Sequence, residues 1–338
     1  MLFRSTGSMR AVVLRAHGGP EVLRFEEVPD PVPGPDEVLV RVIATALNRA
    51  DLLQRMGGYP DPRAGIALEI PGLEFSGVVE AVGSRVKSWK RGDRVMAIEA
   101  GGAYAELICT HERQLMPVPA NIPLTDAAAI PEVFLTAWDA LVVQGGLTSG
   151  RWALVHAGAS GVGTASIQIA KAIGARIAVT CSAPKIDACR ALGADVVVER
   201  SPHDWLADVQ REVPQGFDVV LDVVGGDEVD RNLRAVATKG TIVQVGLMGG
   251  GSTTVNVGLI LAKRVHWIGT TLRARPIEEK VGVTQRFIRE VMPLFESGAL
   301  RPVIDRRYAF ADIAAAQEAM AANANTGKIV VDVTPEHG

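Results

Sequence analysis

Residues 156–165 read HAGASGVGTA and set Gly158, Gly161 and Gly163 between a hydrophobic run and a stretch whose apolar residues include Ile167, Ala170 and Ile173. A tight glycine turn that leaves a strand and opens a helix lets the backbone approach a pyrophosphate. The N–H groups and dipole at the helix start favour the negative charge. The spacing here is G-x-x-G-x-G, not the common G-x-G-x-x-G. A loop that needs small residues only for strand-to-helix packing would carry the same glycines, but the strand, the helix and five further strands all agree with a phosphate cradle.

The end of the next strand decides which dinucleotide such a turn would hold. An Asp or Glu there would accept from the adenosine ribose, yet the chain reads Thr180-Cys181-Ser182-Ala183-Pro184-Lys185. Ser182 and Lys185 can instead hold a 2′-phosphate, with Arg200 as a second cation or a guanidinium platform for adenine. This points to NADPH rather than NADH. Plain surface charge is the other reading of Lys185 and Arg200, and Asp187, further into the following helix, reads as a solvated residue.

Several elements must position these groups. Beyond Arg151, short strands at 152–156, 176–180, 196–199, 219–223, 241–245 and 265–270 alternate with helical patterns or glycine turns, which predicts a doubly wound parallel sheet. From Ala11 to about Pro119, apolar runs at 12–14, 38–44, 75–82, 94–98 and 105–109 are punctuated by turns at 31–35 and 91–93, which reads as a β barrel or sandwich. Helical patterns follow at 124–130, with Thr125 as N-cap, and at 134–143. A further helix around 285–296 precedes strand-like segments at 301–310 and 328–333, too short for a core of their own and expected to return to the first domain.

The 338 residues suit about two domains at roughly 150 residues each. Lys plus Arg is 35 and Asp plus Glu 38, a net charge of −3, which argues against a general grip on nucleic acid or anionic lipid. Uncharged stretches at 152–170 and 240–262 are rich in glycine and polar residues, so a buried sheet fits them better than a membrane span. Residues 1–8 are too short for a signal peptide and read as a tag, an alternative start or a frayed extension. Cys109, Cys181 and Cys189 lack C-x-x-C spacing, so neither a disulfide framework nor a four-cysteine zinc site is expected, and a reducing cytoplasm is the natural setting. None of the three sits in a recognisable nucleophile arrangement, and Cys109 reads as structurally buried.

The segments ALNRADLLQRMGGY (46–59), PGLEFSGVV (71–79), VHAGASGVGTA (155–165), DVVLDVVGG (218–226), QVGLMGGG (244–251) and ANANTGKIV (322–330) together resemble the zinc-free quinone oxidoreductases. These are zeta-crystallin-like members of the medium-chain dehydrogenase/reductase superfamily, and the likeness is greatest to the inducible quinone oxidoreductase branch. The resemblance implies an α/β protein: a GroES-like β-barrel domain from residues 9–131 and 273–338, and an inserted Rossmann domain with a six-stranded parallel sheet at 132–272, with the active site in the cleft. It also implies a homodimer that pairs through the last Rossmann strand, although a covered edge in a monomer is the alternative.

Zinc-dependent relatives place a Cys and a Gly-His-Glu triplet where this chain has Asn48-Arg49-Ala50-Asp51 and Gly72-Leu73-Glu74, so no metal is expected. The six histidines show no ligand spacing, and His156 reads as a core residue. Without a Lewis acid, a conjugated acceptor such as a quinone or an activated alkene is the natural hydride acceptor. The resemblance puts Asn48 and Asp51 beside the nicotinamide as acceptor-orienting residues. It packs Tyr59 against it, offering a phenolic hydrogen bond to the developing oxyanion, with protonation from there or from water. Asn48 can also cap a helix whose dipole Asp51 faces.

Cofactor contacts implied in the same way are Thr136, the turn residues Gly158, Ser160, Gly161, Val162 and Gly163, then Gly225 and Gly226, Gly246, Leu247 and Met248, and finally Asn323 and Lys328. Leu272 and Arg273 are also expected to contact the cofactor and, with Arg275, to wall the cleft. The expected activity is hydride transfer from NADPH to a quinone. The alternatives are an NADPH-dependent enone or enoyl reductase, distinguished by the loop 57–68 and residues 272–276, and an NADPH-binding protein with an RNA-binding or structural role. No basic, aromatic-interleaved stripe supports nucleic-acid binding, and no membrane association is expected.

Overall fold

In the computed structural model, residues 7–63, 66–201 and 204–335 are described. Met1–Thr6, His203, His337 and, within the specificity loop, Ala64 and Gly65 lie outside them. The chain divides into two units, one of Met1–Glu132, Arg273–Gly298 and Pro302–Gly338, the other of Val133–Leu272 with Ala299–Arg301.

The first unit begins with seven strands: β1 (Ser8–Leu14), β2 (Leu23–Pro29), β3 (Glu37–Ala46), β4 (Glu74–Val82), β5 (Arg94–Ile98), β6 (Leu107–His111) and β7 (Met116–Pro117). Ser8, assigned from sequence to a tag, an alternative start or a frayed extension, opens β1 in register with Pro29, and its hydroxyl donates to Glu27. β2 was not anticipated, because Leu23-Arg24-Phe25-Glu26-Glu27-Val28-Pro29 buries only two residues and so lacks a strong apolar alternation.

Between Thr125 and Val143 the helical expectation is corrected in detail. The first helix spans only Leu124–Ala127 and its N-cap is Pro123, not Thr125. The next runs Pro131–Trp138 and continues into a π-helical stretch, Asp139–Gln144.

The second unit carries β8 (Trp152–His156), β9 (Arg176–Cys181), β10 (Val196–Glu199), β11 (Phe217–Asp222), β12 (Val236–Gln244) and β13 (His266–Gly269). All are parallel, in the order β10-β9-β8-β11-β12-β13. This order reverses at β8, the point where ligands of doubly wound sheets collect beyond the strand C-termini. The central strands read as nearly continuous apolar runs because helices cover both faces: every residue of Trp152–His156 is buried. One apolar layer contains Leu141, Ile167, Ile177 and Leu221, the other Trp205, Phe217, Leu233 and Ile242. The two uncharged sequence runs are thus explained by a strand, a loop and a helix each, Gly161–Ala172 and Val257–Lys263 being the helices, rather than by sheet alone. No helix among the described residues is long and apolar enough to cross a membrane.

The chain then returns. The single helix expected at 285–296 is two, Ile277–Glu290 and Met292–Glu296, broken where Pro293 enters the first turn of the second. β14 (Ile304–Ala309) and β15 (Lys328–Asp332) join the first unit's sheet, ordered β14-β15-β3-β4-β5-β7 with β6 also on β3. β15 pairs antiparallel with β3, so the two ends of the sequence share one sheet. Phe75, Tyr104, Leu115, Phe310 and Val331 lie in the common core, each such side chain contributing about 1.5–3 kcal/mol of apolar burial.

Candidate active site

In the second unit, the turn after β8 is shaped by backbone constraints. Ala157 adopts φ 56°, a left-handed conformation that costs a non-glycine residue of order 1 kcal/mol. A Cβ on Gly163 would meet the Ala157 carbonyl oxygen at 2.4 Å and one on Gly158 would meet Val179 at 2.5 Å, so neither position admits a side chain. Ser160 caps the helix Gly161–Ala172: its Oγ accepts from the Gly163 N–H at 3.0 Å, which leaves its own hydrogen to donate. The Gly161 and Val162 N–H groups begin the helix and have no intrahelical acceptor. A bare, positively polarised turn of this kind fits the pyrophosphate of a dinucleotide.

A buried polar chain that sequence reasoning missed fixes the neighbouring strand ends. Asp222, fully buried at the end of β11, accepts from the Val224 and Gly225 N–H groups at 2.6 and 3.0 Å and from Asn232 Nδ2 at 3.0 Å. Asn232 Oδ1 must then accept, so His156 Nε2 donates to it at 2.7 Å, and His156 Nδ1 accepts from the Thr180 hydroxyl at 3.0 Å. Four side chains thereby tie the C-terminal ends of β8, β9 and β11 together. The only signal in the sequence was the polar character of His156, Thr180 and Asp222 at or near the ends of otherwise apolar runs. His156 is the core residue expected of it.

Gly225 and Gly226 have φ 67° and 55°. The loop after β12 is strapped to them: Gly249 N–H donates to Val224 O at 2.7 Å, and Gln244 Nε2 bridges the Asp222 and Gly246 carbonyls. Leu247 and Met248 on that loop are more than half exposed, large apolar groups held at strand C-termini. Thr136 is buried in the helix Pro131–Trp138. At the end of β9, Ser182 is exposed and begins a short 3-10 turn ending in Lys185, and the Arg200 N–H donates to Cys181 O at 2.8 Å. These three expected residues therefore converge on one strand end.

In the first unit, Asn48 and Asp51 are the N-cap and third residue of the helix Arg49–Arg55. Asp51, expected beside a ligand, is fully buried: its Oδ2 accepts from the Asn48 N–H at 2.8 Å and from the Tyr104 hydroxyl at 2.9 Å. Burial pushes its carboxyl up to about 6, against the pull of those two donors. It closes the helix start, in the manner of a capping box, and acts as a positioning residue. Lys328, expected as a cofactor contact, is only 3 % exposed, and its ammonium is directed to Leu47 O at 2.6 Å, Asn48 Oδ1 at 2.7 Å and Glu74 Oε1 at 2.7 Å. Glu74 also accepts from Asn48 Nδ2 at 2.9 Å and from the Glu132 N–H at 2.8 Å. Glu74, to which sequence reasoning gave no role, thus joins Asn48 to Lys328.

Arg273 is likewise reassigned. Its guanidinium donates to Ala100 O at 2.7 Å, Tyr59 O at 2.9 Å and Gln54 Oε1 at 2.7 Å, all within the first unit, and lies 4.7 Å from the Tyr59 ring centroid. Leu272 is half-buried. Asn323 has φ 56°, and its Oδ1 accepts from Arg49, the residue that follows Asn48.

Residues 161–289 match the zinc-binding dehydrogenase family model and residues 34–120 the alcohol dehydrogenase GroES-like domain model. The chain is 37% identical over 331 residues to a quinone oxidoreductase of Pseudomonas aeruginosa, covering 95% of this chain and 99% of that one. It is 29% identical to the synaptic vesicle membrane protein VAT-1 homolog of Rattus norvegicus, across 97% of this chain and 85% of that protein. Among solved structures, a quinone oxidoreductase of Pseudomonas syringae pv. Tomato DC3000 superposes with a TM-score of 0.87 at 33% identity, over 96% of this chain and 100% of that one.

A GroES-like domain and a Rossmann sheet with a dinucleotide turn define a nicotinamide-dependent oxidoreductase. The chain belongs to the medium-chain dehydrogenase/reductase superfamily. The family model's metal does not fit these residues. Where zinc needs thiolate, imidazole or free carboxylate ligands, the chain offers an amide, a leucine and a carboxylate already paired with an ammonium. No group of three His, Cys, Asp or Glu suited to a metal occurs among the described residues.

Proposed function

We propose that this protein is an NADPH-dependent, zinc-independent quinone oxidoreductase. The observation that carries the reading is the buried Lys328–Glu74 pair against Asn48, which commits the polar groups around Asn48 to one another and leaves no ligand set for a Lewis acid among them. An acceptor reduced beside such a site must spread the incoming charge over its own conjugated system, as a quinone does. The 37% identical quinone oxidoreductase supports the same acceptor class.

When bound, the nicotinamide supplies the hydride. Asn48 is held by Glu74 and Lys328 in one orientation, so its amide can orient the acceptor. Tyr59, whose loop Arg273 secures, offers its hydroxyl to the developing oxyanion. Ser160 and the adjoining N–H groups receive the pyrophosphate. Ser182, Lys185 and Arg200 receive the 2′-phosphate, the absence of an acid at the end of β9 favouring NADPH. We include a cytoplasmic homodimer in the proposal: β13 is the edge of its sheet, Trp267 on it is 43% exposed, and the preceding helix exposes Leu261 at 79%.

The test is NADPH oxidation with ortho-quinones, para-quinones and enones, run beside NADH. Quinone-dependent oxidation with NADPH preferred is the expected result. Enone turnover without quinone activity would replace the reading with an alkene reductase. Tight NADPH binding with no acceptor reduced would replace it with a binding protein, which a gel-shift with RNA then examines.

A further inference from the structure

Two thiols that the proposed reaction does not use meet in the second unit. Cys181 is the last residue of β9 and Cys189 lies on the helix Ile186–Ala191. Both are free and both are buried in the same apolar cluster, where each thiol perturbs the titration of the other. Their sequence separation suggested no pairing. The strand-to-helix turn produces it, and the residues enclosed by that turn include Ser182 and Lys185.

We propose that Cys181 and Cys189 form a redox pair, in which oxidation by a hydroperoxide closes a disulfide across the Ser182–Lys185 turn and weakens NADPH binding. The cofactor part rests on the proposed assignment of Ser182 and Lys185 to the 2′-phosphate. The Cys181 thiolate attacks one peroxide oxygen. The O–O bond breaks, hydroxide or an alkoxide leaves and takes up the proton that the Cys181 thiol released on ionising, and a sulfenic acid remains. The Cys189 sulfur then attacks the Cys181 sulfur, the S–O bond breaks, and hydroxide departs with the Cys189 proton as water. Two thiols lose two electrons and the hydroperoxide gains them.

The roles of the two sulfurs are set by their surroundings. Cys181 keeps slight exposure, at 5%, whereas Cys189 has none. The neighbouring Cys189 thiol, together with the Lys185 ammonium, draws the Cys181 thiol below its ordinary range, while Cys189 is itself raised by Cys181. A disulfide requires an S–S distance of about 2.05 Å, shorter than any thiol hydrogen bond, and a fixed dihedral. Closure therefore draws Cys189, the fourth residue of the helix Ile186–Ala191, toward β9 and resets the turn that carries Ser182 and Lys185. Cys109, in the first unit, serves as an internal control, because burial pushes its thiol up to about 12.

The experiment exposes the full-length protein to hydrogen peroxide, blocks remaining thiols under denaturing conditions, and maps peptides by mass. The expected product links the Cys181 and Cys189 peptides with loss of two hydrogens and leaves Cys109 alkylated. The Kd for NADPH, read by fluorescence of the bound cofactor, rises about tenfold, the loss of roughly one charge-assisted contact, and dithiothreitol restores it. Cys189→Ala abolishes the linked peptide, and the wild-type mass measurement does not depend on that variant folding. Full alkylation of both thiols after peroxide, or sulfinic acid on Cys181 without a linked peptide, overturns the proposal. A linked peptide with unchanged NADPH affinity overturns its regulatory part. The peptide map uses no cofactor, so bond formation is judged independently of the NADPH assignment, which the NADPH-to-NADH preference of the reduced protein tests.

Discussion

The Arg273 guanidinium stacks on the ring of Tyr59 while donating to that residue's own carbonyl at 2.9 Å. One side chain therefore fixes both the ring and the backbone of the residue proposed to meet the substrate oxygen. Arg273→Lys keeps the charge but loses the planar fork. It is expected to lower kcat/KM for quinone about tenfold or more, with little change in NADPH affinity. Tyr59→Phe should reduce turnover by a similar factor with NADPH binding intact, and wild-type kinetics in Tyr59→Phe would remove the hydroxyl from the mechanism.

Lys328→Met leaves the Glu74 carboxylate buried without its cation, which costs about 3–5 kcal/mol. Urea denaturation should show this loss, and adding Glu74→Gln should recover a large part of it. An additive double variant would mean that the two groups are not energetically coupled.

Asp51 sets a pH dependence. Its carboxyl titrates near 4 when unfolded and near 6 in the folded protein, where burial dominates. The folded state binds the proton more tightly, so this contribution to stability is complete below pH 4 and is lost as pH rises through 6. The loss is on the order of 3 kcal/mol. Asp51→Asn should flatten the stability profile across that window, and parallel profiles for the two proteins would refute the assignment.

If Lys185 reads the 2′-phosphate, Lys185→Ala raises the Kd for NADPH about tenfold or more while that for NADH changes little. Equal weakening of both cofactors would show that the ammonium does not contact that phosphate.

Metal analysis of chelator-washed, folded protein should find no stoichiometric zinc. One tightly held zinc per chain would mean that Asn48 and Glu74 rearrange away from Lys328.

The Rossmann half was legible because its information is local: apolar runs, glycines and helix-period segments occur in the order in which they are used. The strand end that carries Ser182 could be located for the same reason. Asp51 and Lys328 were singled out from the sequence without their neighbours, since nothing in ANANTGKIV or PGLEFSGVV reveals that Lys328 reaches Glu74. The partners of Arg273 were not legible because it follows β13 in sequence yet packs against Gln54 and Ala100. The Asp222–Asn232–His156–Thr180 chain was invisible because it links residues of three strands and a helix through side chains alone.

The seating of β15 between β14 and β3 dictates an order of events during synthesis. β3 emerges early and soon meets β4 and β6, but the partner of its Ala44–Ala46 end follows some 280 residues later, about the separation of the Lys328–Asn48 bond. The Val133–Leu272 unit leaves the ribosome, apart from the short Ala299–Arg301 segment, while β3 still presents an open flank. A nascent chain released before Lys328–Asp332 would carry that flank uncovered and Glu74 without its ammonium. Premature termination near the carboxyl end therefore damages the amino-terminal half of this protein.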